Sequence, residues 1–344
     1  MSVSLLLFVA LATLPAVLLL AFAGCEDFGA EEAQPGTGPH TETDEERQAR
    51  LERERLEREQ LARERLERER LELERLERER RERYATTILA EPGLISYWRL
   101  RETAAGQALD SAPAPINSGT YTGRVVFQRD GTGALAPNRD DADTAPLFNG
   151  RDAYVEMAPD GTVDSSFTIE AWIKPARTSG AGTYHDIFSA LDVLPGDIYS
   201  GFTLGLVYPG DPTFTPGIFV FVGGGRPGSN GLAIVPFPDG PGDAWRHVVA
   251  TYDGGTPKTL RLSVSPHDDE ALVTTKTEVG YQANLRQRMR IGAGRLPNLD
   301  ASGPARFFEG AIDEVALYNV ALLHEPPEKD RIKAHFDIAT TAGP

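Results

Sequence analysis

The nine residues FTIEAWIKP, 167–175, alternate in character: Phe167, Ile169, Ala171 and Ile173 fall on one face of an extended chain, and Thr168, Glu170, Trp172 and Lys174 on the other. A period of two with one apolar side is the pattern of a strand turned toward a core. Similar runs lie on both sides: LISYWRL, AYVEM, GFTLGLVY, GIFVFV, WRHVVATY, TLRLSVS and GAIDEVALY. Turn pairs separate them, among them Asn149-Gly150, Asp160-Gly161, Asn230-Gly231 and Asp253-Gly254. In this part of the chain only residues 325–336 read as helical. Many short strands without intervening helices predict an all-β fold, an antiparallel sandwich or barrel formed as one large domain.

Five segments in order, GLISYWRLRETAAGQALDSA, LFNGRDAYVEM, SFTIEAWIKP, WRHVVATYDG and FFEGAIDEVALYNVAL, resemble laminin-G-like, concanavalin-A-like jelly-roll domains. The resemblance covers about residues 93–338 and implies two antiparallel sheets packed face to face, and the domain is expected over residues 89–338 with 339–344 as a tail. It also implies binding of carbohydrate or protein, often as part of an exported protein. One departure is Ser265-Pro266-His267-Asp268-Asp269, where the family has a Val-Asp-Gly-type hairpin.

The chain before this domain is of a different kind. Residues 3–24 carry no charge and are long enough for a signal peptide or a membrane anchor. Phe22-Ala23-Gly24-Cys25 resembles a bacterial lipobox, which implies lipid attachment at Cys25, the only cysteine. Residues 25–44 are an acidic Gly/Pro/Thr linker. Residues 45–84 hold 14 Arg and 14 Glu with no Gly or Pro, so they are expected to form a charged helical stalk with Glu-to-Arg pairs four apart, such as Glu54 with Arg58. Leu51, Leu56, Leu61, Leu66, Leu71 and Leu76 recur every five residues, a turn of about 140° per step, whereas a coiled-coil seam needs a mean spacing of 3.5. The expectation is a solitary helix, with a paired coil as the alternative.

The formal charge is −16 and no segment is net basic, which excludes the electrostatic footprint of a nucleic-acid binder. Catalytic patterns are also missing. No Glu-x-Asp-x-Glu row places carboxylates along one strand face, and adjacent Asp313 and Glu314 are expected on opposite faces of a strand. Asp140, Asp141 and Asp143 fall in an apparent loop, where they are expected to be solvated. The six histidines lack HExxH spacing, there is no GxSxG elbow, and Gly223–Gly228 lacks the Lys-Ser/Thr of a phosphate loop. Asp110, Asn117 and Asp313 lie in segments where the resemblance implies a structural calcium ion, the alternative for Asp110 being a turn that its carboxylate caps. Trp98 and Trp245 read as core. Trp172, beside Glu170 on the second face of its strand, is a candidate for stacking on a sugar ring, unless loops cover that face. Tyr184, Tyr199, Tyr208 and Tyr281 are alternative ligand contacts.

Together these features predict a non-catalytic recognition protein of the bacterial envelope, facing periplasm or cell surface, held by a lipid or an apolar helix. Its expected partner is a glycan or an envelope or matrix protein. A structural spacer is the second reading and a glycoside-active enzyme the third.

Overall fold

A computed structural model describes residues 42–127, 133–135, 143–158, 163–176, 184–210, 215–237, 244–264, 273–284, 286, 288–295, 303–322 and 330–341. The apolar segment 1–24, Cys25, the linker up to residue 41, Asp140, Asp141 and Ser265–Asp269 lie outside them. Contacts divide the chain into Met1–Ala62 and Arg63–Pro344. No helix of the described residues is long and apolar enough to cross a membrane.

The first element is the helix Asp44–Ala90 (α1), 47 residues or about 70 Å of helix. Its start is set by a capping box. Thr43 Oγ1 accepts from the Glu46 N–H (3.3 Å), and Glu46 Oε2 accepts from the Thr43 N–H (2.9 Å). Arg50–Glu54, Arg65–Glu69 and Arg75–Glu79 pair along its surface at four-residue spacing. Leu51, Leu56, Leu61, Leu66 and Leu71 are 50–66% exposed, as their spiralling positions require.

The remainder is a sandwich of two antiparallel sheets, as the resemblance implied. One sheet has eight strands. In spatial order these are Val273–Thr277 (β15), Thr259–Val264 (β14), Arg246–Asp253 (β13), Phe167–Pro175 (β7), Glu309–Tyr318 (β17), Pro146–Asn149 (β5) and Val126–Phe127 (β4), with Leu94–Trp98 (β1) also paired to β17. The other has nine: Gly231–Pro236 (β12), Gly217–Gly224 (β11), Ile198–Val207 (β10), Tyr184–Ser189 (β8), Met289–Ile291 (β16), Tyr154–Met157 (β6), Gly119–Thr122 (β3) and Gln107–Ala108 (β2), with Asp192–Leu194 (β9) on β10.

The main core lies between the sheets. Phe167, Ile169, Ala171 and Ile173 of β7 enter it, as their alternation required. Phe167 stacks on Phe202 of β10 at 4.1 Å between ring centroids and 16° between planes, and Phe202 stacks in turn on Phe188 of β8. Burying such a ring contributes about 1.5–3 kcal/mol.

A second apolar cluster covers the outer face of the eight-stranded sheet. Tyr84, Ala85 and Ile88 from the end of α1 meet Tyr97, Trp172, Val249 and Tyr318, together with Ile332 and Ala339 of the C-terminal helix Arg331–Thr340 (α2). The charged helix therefore continues to Ala90 rather than stopping at 84. Packing of the row Tyr84–Ile88 overrides the weak helix propensity of the β-branched residues around it. The C-terminal helix runs from Arg331, capped by the Asp330 side chain, which accepts from the Lys333 N–H at 2.8 Å, and residues 325–329 of the expected helix lie outside the described residues.

Candidate functional site

The outer face of the nine-stranded sheet carries a cleft of about 390 Å³. Strand alternation builds it. In β11, Ile218, Val220 and Val222 point into the core, leaving Phe219 and Phe221 outward. In β12 the same rule sends Leu232 and Ile234 outward, and in β10 it does so for Thr203 and Val207. Tyr184, Leu191, Tyr199 and Arg306 complete the lining.

The rings brace one another. Tyr184 meets Phe219 edge-on at 5.9 Å, Tyr199 meets Phe221 edge-on at 5.2 Å, and the Arg306 guanidinium lies 4.9 Å from the Tyr184 ring centroid. Gly205 keeps the floor open. Opposite Phe219 in the ladder, a Cβ there would come within 2.9 Å of both the Phe219 ring and Asp186 Oδ1. Across from Phe219, on the same face of the sheet, Asp186 is 1% exposed, and its Oδ1 has no hydrogen-bond partner among the described residues. Burial pushes its carboxyl up to about 7, against the opposing pull of Arg306 and Thr203. Gly294 makes room for the carboxyl, since a Cβ there would sit 1.5 Å from Asp186 Oδ2.

A recess lined by aromatic and aliphatic residues of consecutive strands, with Phe219, Val207 and Leu191 buried at its base, is a candidate binding site. A family model described as the concanavalin A-like lectin/glucanases superfamily matches residues 149–325. The chain belongs to this superfamily. Solved structures with some likeness to the chain include domain 4 of an extracellular arabinanase from Geobacillus stearothermophilus in complex with arabinotriose. It is 18% identical, with a TM-score of 0.43, 72% of this chain covered and 98% of that one. Another is the binding domain of botulinum neurotoxin DC in complex with SialylT, 11% identical, with a TM-score of 0.48, 72% of this chain covered and 52% of that one. The chain thus spans about half the length of that toxin domain. No curated protein matches the chain.

Within this superfamily fold the residues nominated from sequence go to different places. Tyr184 and Tyr199 line the cleft. Tyr208 is buried and donates to the Ala176 carbonyl (3.1 Å), and Tyr281 donates to the Val163 carbonyl (3.0 Å). Trp98 sits in the main core and donates from Nε1 to the Asn117 carbonyl.

Glu170 and Trp172 do share the second face of β7, but that face is not open to a sugar. They are 0% and 3% exposed beneath the two helices. Trp172 donates to the Tyr84 hydroxyl (3.1 Å) and stacks on Phe336 at 5.9 Å and 12°. Glu170 accepts from Tyr318 (3.2 Å) and from His335 Nδ1 (2.9 Å), while His335 Nε2 reaches Glu91 (3.0 Å). Burial would raise the Glu170 carboxyl, but His335 and His247 beside it hold it well below the usual carboxylate range. Burial would lower His335, yet Glu170 and Glu91 push it up to about 9, so at neutral pH it is an imidazolium donating from both nitrogens. This buried network fastens the sheet to its helices.

The three residues proposed for calcium are likewise separated by function. The Asp110 carboxylate accepts from the N–H groups of Tyr97, Ala112, Ile116 and Asn117, and the Asn117 side chain donates to Ser96 (2.7 Å). Asp110 thus caps a turn, its oxygens committed to backbone amides. Asp313 instead gathers with Glu314 and Asp143, with one ligand-type atom of each within 4.8 Å of the others. Two expectations are corrected here. Asp143 is buried and not solvated in a loop. Asp313 and Glu314, neighbours in sequence, reach the same cluster because β17 breaks register between Asp313 and Ala316, with Glu314 at φ 49°.

The charges of this cluster are balanced by arginine. Arg101 pairs with Glu314 (2.9 Å) and Asp143 (3.1 Å), Arg99 lies 3.6 Å from Glu314, and the Tyr97 hydroxyl donates to Glu314. Burial, then Asp143 and Glu314, drive the Asp313 carboxyl well above its usual range. A divalent cation there would meet two guanidinium groups that repel it. Asp110, Asn117 and Asp313 therefore do not fit one calcium centre. The cleft itself was missed by the sequence reading, although GIFVFV and GLAIVP carry its signal: apolar residues on both faces of strands that have only one core to fill.

Proposed function

We propose that this protein is a non-catalytic recognition protein that takes a carbohydrate in the aromatic cleft of its nine-stranded sheet. The observation that carries this reading is the cleft, in which Tyr184 braces Phe219 and Tyr199 braces Phe221. Aromatic rings offer flat apolar area to the C–H faces of sugars, and they cost little conformational entropy to order. The superfamily's description as lectins and glucanases supports a carbohydrate over other ligands. Glycoside hydrolysis needs two carboxyl groups about 5–9 Å apart across the bond, and among the described residues lining the cleft there is no such pair. Within the same proposal, Cys25 carries a lipid anchor in a bacterial envelope and α1 serves as the spacer.

The test is binding of the chain to a panel of polysaccharides, comparing wild type with Tyr199→Ala. Saturable binding that weakens at least tenfold in a variant with unchanged melting is the expected result. Binding that is indifferent to Tyr199→Ala places the ligand elsewhere and removes the cleft reading.

A further inference from the structure

Among the described residues the cleft has one charged side chain in its lining, and that charge is positive. Arg306 approaches from the segment before β17, with its backbone carbonyl accepting from the Asp186 N–H at 2.8 Å. Its guanidinium rests over the Tyr184 ring, and its Nε is buried without a hydrogen-bond partner among the described residues. A buried donor left unpaired is costly, and a flat guanidinium held against a ring is already oriented for a planar acceptor. Burial lifts the carboxyl beside it, Asp186, to about 7 against the attraction of Arg306. Arg306 thus presents its guanidinium within the cleft lining, over the Tyr184 ring.

We infer that the cleft selects glycans bearing carboxylate groups, with a uronate ring on the Tyr199–Phe221 side and its carboxylate on Arg306. This rests on the reading of the cleft as a carbohydrate site. A carboxylate offers two oxygens in the plane that the guanidinium fork matches, and such charge-assisted pairs are roughly twice as strong as neutral ones. Long-range attraction cannot be the cause of a preference for acid, since the whole chain carries −16. The preference has to be local, in a recess where screening by salt is reduced.

The experiment titrates the full chain with polygalacturonate, alginate and hyaluronate, each beside its methyl-esterified form, and with neutral glucan and arabinan. The variants are Arg306→Gln and Tyr199→Ala. The expected result is at least one acid form bound tenfold or more tighter than its ester. Arg306→Gln then brings the acid form down to the level of the ester, and Tyr199→Ala weakens both. Equal binding of acid and ester by wild type, or preference for a neutral glycan, overturns the inference while leaving the cleft a carbohydrate site. Binding of none of these polymers overturns both. The acid-to-ester comparison on wild type decides the point even if Arg306→Gln fails to fold.

Discussion

His335 holds two carboxylates at once, Glu170 of β7 and Glu91 beyond α1, and it is fully buried. Its pKa is raised to about 9 in the fold, from an ordinary 6.5. A raised histidine stabilises fully below its unfolded pKa, and that contribution is lost as pH climbs through the folded one. Stability is therefore expected to fall by about 3 kcal/mol between pH 6.5 and pH 9 from this residue alone. His335→Gln should be less stable than wild type by a similar amount at pH 6.5, and the two should converge above pH 9. Urea unfolding across that range measures it, and a gap that stays constant with pH removes the imidazolium from the account. Residue-scale chemistry of this kind was only half legible. Alternation in FTIEAWIKP placed Glu170 and Trp172 together on the second face. It carried no sign of what covers them, because His335 and Tyr84 lie far away in sequence.

At the scale of elements, α1 has two characters. Up to its middle turns it is supported by its own Glu–Arg pairs, each worth a few tenths of a kcal/mol at the surface. Its last turns depend on the sheet, where Tyr84 and Ile88 are 0% exposed. Ile88→Ala is expected to destabilise the sandwich by about 2–4 kcal/mol, read by tryptophan fluorescence in denaturant. The helical circular dichroism at low denaturant should barely change. A loss below about 1 kcal/mol means that the last turns of α1 are not part of the domain. The repeat LERER made the helix plain, but its end was hidden. ATTILA reads as a link into the first strand until Ile88 is seen to meet Trp172, Ile332 and Tyr318 in one cluster. The register break in β17 was hidden in the same way. Strict alternation parts Asp313 from Glu314, and only the left-handed backbone at Glu314 brings them together.

At the scale of the sandwich, the two outer faces have opposite fates. Both α1 and α2 close the eight-stranded sheet, and no helix of the described residues covers the aromatic strip of β10, β11 and β12. Fold class followed from strand count, turn pairs and the order of five segments, all local signals. The location of the site did not, because it depends on which face the helices choose. The measurement that separates the faces is calorimetric titration of a bound polysaccharide into wild type, Phe221→Ala and Phe336→Ala. Phe221 lies on the open face, and Phe336 stacks on Trp172 under the covered one. The expected result is at least a tenfold loss of affinity in Phe221→Ala, with wild-type affinity in Phe336→Ala. Loss in Phe336→Ala with wild-type binding in Phe221→Ala would contradict the central claim and return the ligand to the face of Trp172.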